Sequence, residues 1–259
     1  MFTHSEHREM SADRQECEAA VADGPEQRIR TYKTRRGRVT RAGQRALDEL
    51  WPQLGLEYGT APLDQRAIFG RDAPLVLEIG FGMGEATAAL AAAEPDRDVL
   101  AVDVHTPGVG ALLGELGRRK LTNVRLLTGD AVPLLQTMLL PGQLAEIRIF
   151  FPDPWPKSRH AKRRLMAPPF VRLAGSGLRA GGRLHLATDW GPYADQAFSV
   201  LSAEPLFDPP TRTIERPPWR PVTRFERRAI AAGRPVVDVF AVRNLSTFGA
   251  RGDGAVTSR

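Results

Sequence analysis

The pattern that most limits the fold is a succession of short apolar runs separated by helical stretches, with an acid or a glycine near the end of most runs. The runs cover residues 75–79, 99–102, 124–127, 147–151, 183–188 and 236–242. Helical patterns lie between them at 85–93, 109–119, 132–140, 170–178 and 193–202. Short, nearly continuous apolar strands alternating with helices predict an α/β domain whose sheet is doubly wound, mostly parallel and covered on both faces. The spacing divides the chain into four parts. Residues 1–27 are polar and read as a disordered tail, and 28–74 as a flexible basic arm with a short helix capped by Thr40. Residues 75–243 form the main domain, and 244–259 a loose tail rich in Gly, Ser and Thr.

In an open sheet of this kind, ligands bind beyond the carboxyl ends of the strands. Glu78, Asp103, Asp130 and Asp153 each close or follow a strand, so they are the first candidates. Asp130 could equally cap a helix. After Glu78 comes Gly80-Phe81-Gly82-Met83-Gly84, glycines where a strand must turn sharply into a helix beside a small ligand. This differs from the G-x-G-x-x-G of dinucleotide folds. Glu78 before the first glycine and Glu85 after the last disfavour a bound pyrophosphate, which seeks a bare helix N-terminus. They suit a cofactor with a cationic centre and an amino group, such as S-adenosylmethionine. Asp103 is placed to accept from ribose hydroxyls, and Asp130 from an adenine amino group.

Lys and Arg exceed Asp and Glu by 36 to 30, and the excess is concentrated. Residues 28–45 carry eight Lys/Arg and no acid, and 157–164 carry five, again with no acid. Two such clusters beside a glycine-rich site point to a nucleic-acid partner. The second cluster (Lys157, Arg159, His160, Lys162, Arg163 and Arg164) follows Phe151-Pro152-Asp153-Pro154-Trp155 directly. Two prolines fix the backbone around Asp153. Trp155 reads either as a face on which a base could stack or as a core residue at a rigid turn. Asp189 stands at the next strand end. Thr223-Arg224-Phe225-Glu226 supplies a hydroxyl, a cation, an aromatic and a carboxylate suited to a base edge.

Other classes are disfavoured. The single Cys17 permits no intramolecular disulfide, and His4, His7, His105, His160 and His185 show no metal-ligand spacing, so no metal is expected. No apolar stretch is long enough to span a bilayer and no signal peptide is recognisable, which predicts a cytoplasmic protein without a membrane partner. Monomer and homodimer both remain open.

The segments LEIGFGMG, VDVHTPGVG, FPDPWPKSRHAKRRL, ATDW and TRFERR resemble, in order, those of the bacterial tRNA (guanine-N7-)-methyltransferases. The resemblance implies a Rossmann-like class I methyltransferase fold with a seven-stranded sheet. It further implies S-adenosylmethionine as methyl donor and a guanine in the tRNA variable loop as acceptor. By position it implies cofactor contacts at Glu78, Gly80, Gly82, Gly84, Asp103, Asp130 and Asp153, with Asp153 the catalytic carboxylate of the active site. Substrate contacts are implied at Lys157, Asp189, Thr223, Arg224, Phe225 and Glu226, and RNA contacts along residues 159–164. Arg224 stands where that family commonly has lysine, and Asp103 where it commonly has glutamate; both keep the charge.

Guanine N7 carries a free lone pair, so no proton need leave before attack, and a carboxylate is better matched to the cationic product than to the neutral base. The rival readings are methylation of an exocyclic amine, a non-catalytic RNA-binding protein on the same fold, and a nicotinamide-dependent oxidoreductase. The missing second proline after Asp153 weighs against the first, the full set of acids against the second, and the glycine spacing against the third.

Overall fold

The computed structural model describes residues 31–32 and 37–245. The expectations for tail 1–27, for arm residues 28–30 and 33–36, and for the tail beyond 245 lie outside the described residues, as do Cys17, His4 and His7.

The first described helix, α1 (Arg41–Leu54), begins where the Thr40 side chain accepts from the Gly43 N–H at 3.0 Å, as the sequence predicts. It leads into β1 (Gly55–Leu56) and α2 (Gln65–Phe69). The alternating part follows as β2 (Leu75–Ile79), α3 (Glu85–Ala93), β3 (Asp98–Asp103), α4 (Thr106–Arg119) and β4 (Val124–Thr128). Next come the short α5 (Ala131–Pro133), β5 (Leu144–Phe150), α6 (Pro168–Gly177), β6 (Leu178–Thr188) and α7 (Gly191–Ala203). The chain closes with β7 (Thr211–Thr213), α8 (Arg224–Ala231) and β8 (Val237–Val242).

The strands form one sheet in the order β1-β4-β3-β2-β5-β6-β8-β7. Pairing is parallel from β1 to β6, and β8 and β7 are antiparallel. The sheet thus has eight strands among the described residues, where seven were expected. The six apolar runs account for β2 to β6 and β8; the two edge strands lie outside them, β1 with two residues beside β4 and β7 with three beside β8, both too short to show any alternation.

One face is apolar throughout: Leu77, Val102, Ile149, Leu186 and Val239 pack beneath α5, α6 and α7. The other face is split. Val76, Ala101 and Leu126 meet α1, α3 and α4, but toward β5, β6 and β8 the inward residues are Glu146, Arg148, His185 and Asp238, all buried.

Two local expectations change. The helix predicted for 132–140 is three α-helical residues followed by a π-helical turn, Leu134–Met138. Pro133 brings no N–H, and its carbonyl accepts the Thr137 hydroxyl at 2.9 Å, back-bonding of the kind that bends a helix. The strand predicted for 183–188 begins earlier, in the eleven-residue β6, with Gly181 inside it at φ 73°.

Candidate active site

The glycine loop after β2 holds its shape through left-handed backbone at Gly80, Gly82 and Gly84, with φ of 83°, 61° and 79°. It is pressed against α4. A Cβ on Gly108 would lie 1.7 Å from the Gly82 carbonyl oxygen, so only glycine fits there. Asp103, at the end of β3, fastens the loop: the Gly82 N–H donates to Oδ2 at 2.7 Å and the His105 N–H to Oδ1 at 2.9 Å. Burial pushes the Asp103 carboxyl above its ordinary value, and these two amides pull against that. Each oxygen keeps a lone pair, so the carboxylate can still accept from a ribose hydroxyl.

Glu78 is only 3% exposed. One oxygen accepts the Thr87 hydroxyl at 3.0 Å; the other, Oε2, is buried and has no hydrogen-bond partner. Burial drives its carboxyl up to about 7, with the Arg148 guanidinium and the Thr87 hydroxyl opposing. A buried acceptor without a donor is costly, so the site asks its ligand for a cation. The ammonium of S-adenosylmethionine meets that demand, and a pyrophosphate does not.

A cavity of about 160 Å³ opens beyond the strand ends, and its walls include Gly80, Gly82, Asp103, Asp130, Asp153, Arg224 and Phe225. An adjoining one of about 40 Å³ is lined by Glu78, Gly84, Glu85 and Thr223, and shares Gly80, Gly82, Phe151, Arg224 and Phe225 with the first. Asp130 reaches this cavity while its side chain also accepts from the Val132 N–H at 3.0 Å. The cap and the wall are the same residue.

Asp153 is half-buried within the rigid segment after β5. Besides its flanking prolines, two aromatics bracket it in left-handed backbone, Phe151 at φ 53° and Trp155 at φ 42°. Such conformations are strained for bulky side chains and persist where the surroundings enforce them. Trp155 is 5% exposed, its indole N–H donates to the Thr31 carbonyl at 3.0 Å, and Arg163 lies over its ring at 5.0 Å. The base-stacking alternative for Trp155 therefore fails; its ring is a structural anchor. Phe151 and Phe225 present near-parallel rings instead, 6.2 Å apart at 19°.

The basic stretch divides in two. Ser158–Arg163 is a 3-10 helix on which Arg159, Lys162 and Arg163 are exposed; Lys157 is exposed just before it and His160 half-buried on it. Arg164 turns inward, 6% exposed, donating to the carbonyls of Pro154 and Pro192 and to Gln196 Oε1 at 2.7 Å. It holds the Asp153 segment to α7 and is withdrawn as a phosphate contact. Asp189 pairs with Arg234 at 2.8 Å, tying the end of β6 to the turn after α8. Thr223 caps α8 by accepting from the Glu226 N–H at 3.1 Å. Glu226 is 3% exposed, accepts both terminal nitrogens of Arg220 at 2.8 and 3.1 Å, and is likewise withdrawn as a base contact.

Arg220 is a residue that sequence reasoning missed. It is fully buried, clamps Glu226, and donates to Asp238 Oδ2 at 3.1 Å. Asp238 in turn meets His185 Nε2 at 2.6 Å. Burial lowers the His185 pKa, and its pairing with Asp238 counters this. Nothing in the proline-rich stretch around Arg220 signals burial, because its acids come from α8 and β8. His105, whose buried Nδ1 lacks a partner, and Thr31 and Tyr32 of the basic arm also reach the cavity unannounced.

The family model described as "Putative methyltransferase" matches residues 72–239. A tRNA (guanine-N(7)-)-methyltransferase of Streptomyces coelicolor is 51% identical over 218 residues, covering 83% of this chain and 80% of that protein. Its namesake in Burkholderia mallei is 51% identical over 213 residues, covering 82% and 81%. Among solved structures, the 16S rRNA methyltransferase KamB has a TM-score of 0.51 at 16% identity, covering 71% of this chain and 94% of its own, a likeness of fold alone. With half its residues shared across most of its length, a strand-end cavity and an intact glycine loop, this chain belongs to the tRNA (guanine-N(7)-)-methyltransferase family.

Proposed function

We propose that this protein methylates N7 of a guanine in the variable loop of tRNA, with S-adenosylmethionine as donor. The observation that carries the reading is the meeting of Asp103, Asp130 and Asp153 with the glycine loop around one cavity, in a chain of this family. When bound, S-adenosylmethionine supplies an electrophilic methyl group. Glu78 holds its ammonium, Asp103 its ribose and Asp130 its adenine edge.

Asp153 receives the guanine edge. Its fixed negative charge becomes more favourable as the ring turns cationic, so it stabilises the transition state more than the ground state. Fixing the base in line with the methyl group contributes the rest, and positioning of this sort supplies on the order of 7–11 kcal/mol. Phe151 and Phe225 offer ring faces to the same cationic purine. Asp189 and Thr223 act by holding neighbouring segments in place. Lys157, Arg159, Lys162 and Arg163 anchor phosphates, with His160 beside them. A tRNA substrate assigns the protein to the cytoplasm. No helix among the described residues is long and apolar enough to cross a membrane, and no metal-binding group is found among them.

Incubation with unmodified tRNA and methyl-labelled cofactor, followed by nucleoside analysis, tests the reading. Label in N7-methylguanosine is the expected outcome; label on an exocyclic amine sinks it. For the basic helix, changing Arg159, Lys162 and Arg163 to alanine should weaken tRNA binding. The slope of log affinity against log salt should flatten by about 0.7–0.9 for each phosphate that is no longer neutralised. Weakened cofactor binding with an unaltered salt slope would contradict the assignment.

A further inference from the structure

The start of α8 carries a cation into the same small cavity as Glu78. Arg224 lines both cavities, its Nε is buried without a hydrogen-bond partner, and no ion pair holds it among the described residues. Its guanidinium carbon lies 5.0 Å over the Phe225 ring. The neighbouring Arg227 is otherwise engaged, pairing with Glu85 at 3.6 Å where both are exposed. Glu78 lines the same cavity, and its buried Oε2 also lacks a partner. The 40 Å³ space is therefore lined by two residues of opposite charge, Glu78 and Arg224, each carrying one buried polar atom without a hydrogen-bond partner.

A simple cation would satisfy only Glu78, and a phosphate only Arg224. An α-amino acid head carries both complementary charges on one carbon, with the ammonium for Glu78 and the carboxylate for Arg224. Charge-assisted hydrogen bonds of this kind are the strong ones, and an arginine fork matches carboxylate geometry. The first-turn N–H groups of α8, at the positive end of the helix, add to the field that favours a carboxylate.

We infer that Arg224 anchors the carboxylate of the cofactor's methionyl end opposite Glu78, rather than contacting guanine. This rests on the reading of S-adenosylmethionine as donor. It also moves Arg224 from the substrate, where the sequence assigns it, to the cofactor.

Decarboxylated S-adenosylmethionine keeps the ammonium and sulfonium but lacks the carboxylate, so it isolates this interaction. Calorimetric titration of the full chain should show the parent cofactor binding about 10- to 100-fold more tightly than the decarboxylated one, the range of one hydrogen bond between charged groups. Arg224→Met should reduce that ratio to near one by weakening the parent cofactor alone. Glu78→Gln should weaken both ligands alike and preserve the ratio. Arg224→Lys, which keeps the charge without the fork, should fall between wild type and Arg224→Met, and it serves if the methionine variant fails to fold.

An undiminished ratio in the arginine variants overturns the inference. So does a wild type that does not distinguish the two ligands. Unchanged cofactor affinities with a raised KM for tRNA would return Arg224 to guanine. If wild type binds neither ligand, the donor assignment itself fails, and that result is separable from the others.

Discussion

Asp153→Asn lowers turnover about 100- to 1,000-fold, the scale on which a single electrostatic interaction with a developing charge acts, while tRNA and cofactor affinities change little. The substitution is nearly isosteric and keeps one acceptor oxygen toward a guanine edge, with an amide donor in place of the other. What it removes is the negative charge. N7 has no proton to lose, so the penalty should persist across the pH range instead of vanishing where a general base would be superfluous. Single-turnover rates with saturating tRNA and cofactor, measured from pH 6 to 9, provide the check. Full turnover in a variant that binds both ligands normally would remove Asp153 from the chemistry. The rigidity of its surroundings makes the test clean. Flanking prolines, left-handed Phe151 and Trp155, and the Arg164 bonds to Pro154, Pro192 and Gln196 hold the backbone of the segment.

The second large effect is on stability. Arg220→Met leaves the carboxylates of Glu226 and Asp238 buried without their shared cation. Breaking a buried pair in this way costs about 3–5 kcal/mol, or roughly 6–20 °C in Tm for a chain of this size. Cofactor affinity should fall as well, because Glu226 lies on α8 with Arg224 and Phe225, which reach the cavity. The triple change of Arg220→Met, Glu226→Gln and Asp238→Asn should recover part of that stability by removing the orphaned charges. Thermal unfolding of the single and triple variants decides it. A Tm drop of only a degree or two in the single variant would mean that water or a relaxed loop compensates the acids.

This buried cluster marks where sequence reading stops. The run 147–151 looks like part of an ordinary apolar strand, yet β5 begins earlier and alternates, with Ile147 and Ile149 in the apolar core and Glu146 and Arg148 on the opposite face. Glu146 accepts from Arg97 at 2.7 Å, Arg148 at 3.1 Å and Arg183 at 2.8 Å, while Arg148 also reaches Glu94 at 2.7 Å. Burial alone would raise the Glu146 carboxyl, but Arg148 and Arg183 outweigh it and hold it below the ordinary range. A charged residue in a strand ordinarily signals solvent. Here the partners arrive from the end of α3, the turn after it and β6, and no local pattern announces them.

The same reasoning sorts the site. The glycine loop and the acids at strand ends were legible because their places follow from nearby chain: a strand must end, turn and start a helix, and the ligand crevice lies there in any sheet of this class. The sequence therefore determined the α/β alternation, the position of the loop, and Asp103, Asp130 and Asp153 as the acids facing a common crevice. Which cations meet solvent, which aromatic is an anchor, and which arginine turns toward the cavity were decided only in three dimensions. Arg163 and Arg164 are adjacent and identical in type, yet one is exposed and the other lies under α7. Burial and pairing belong to the packing of distant segments, and a chain read residue by residue carries no record of which segments will come to lie across it.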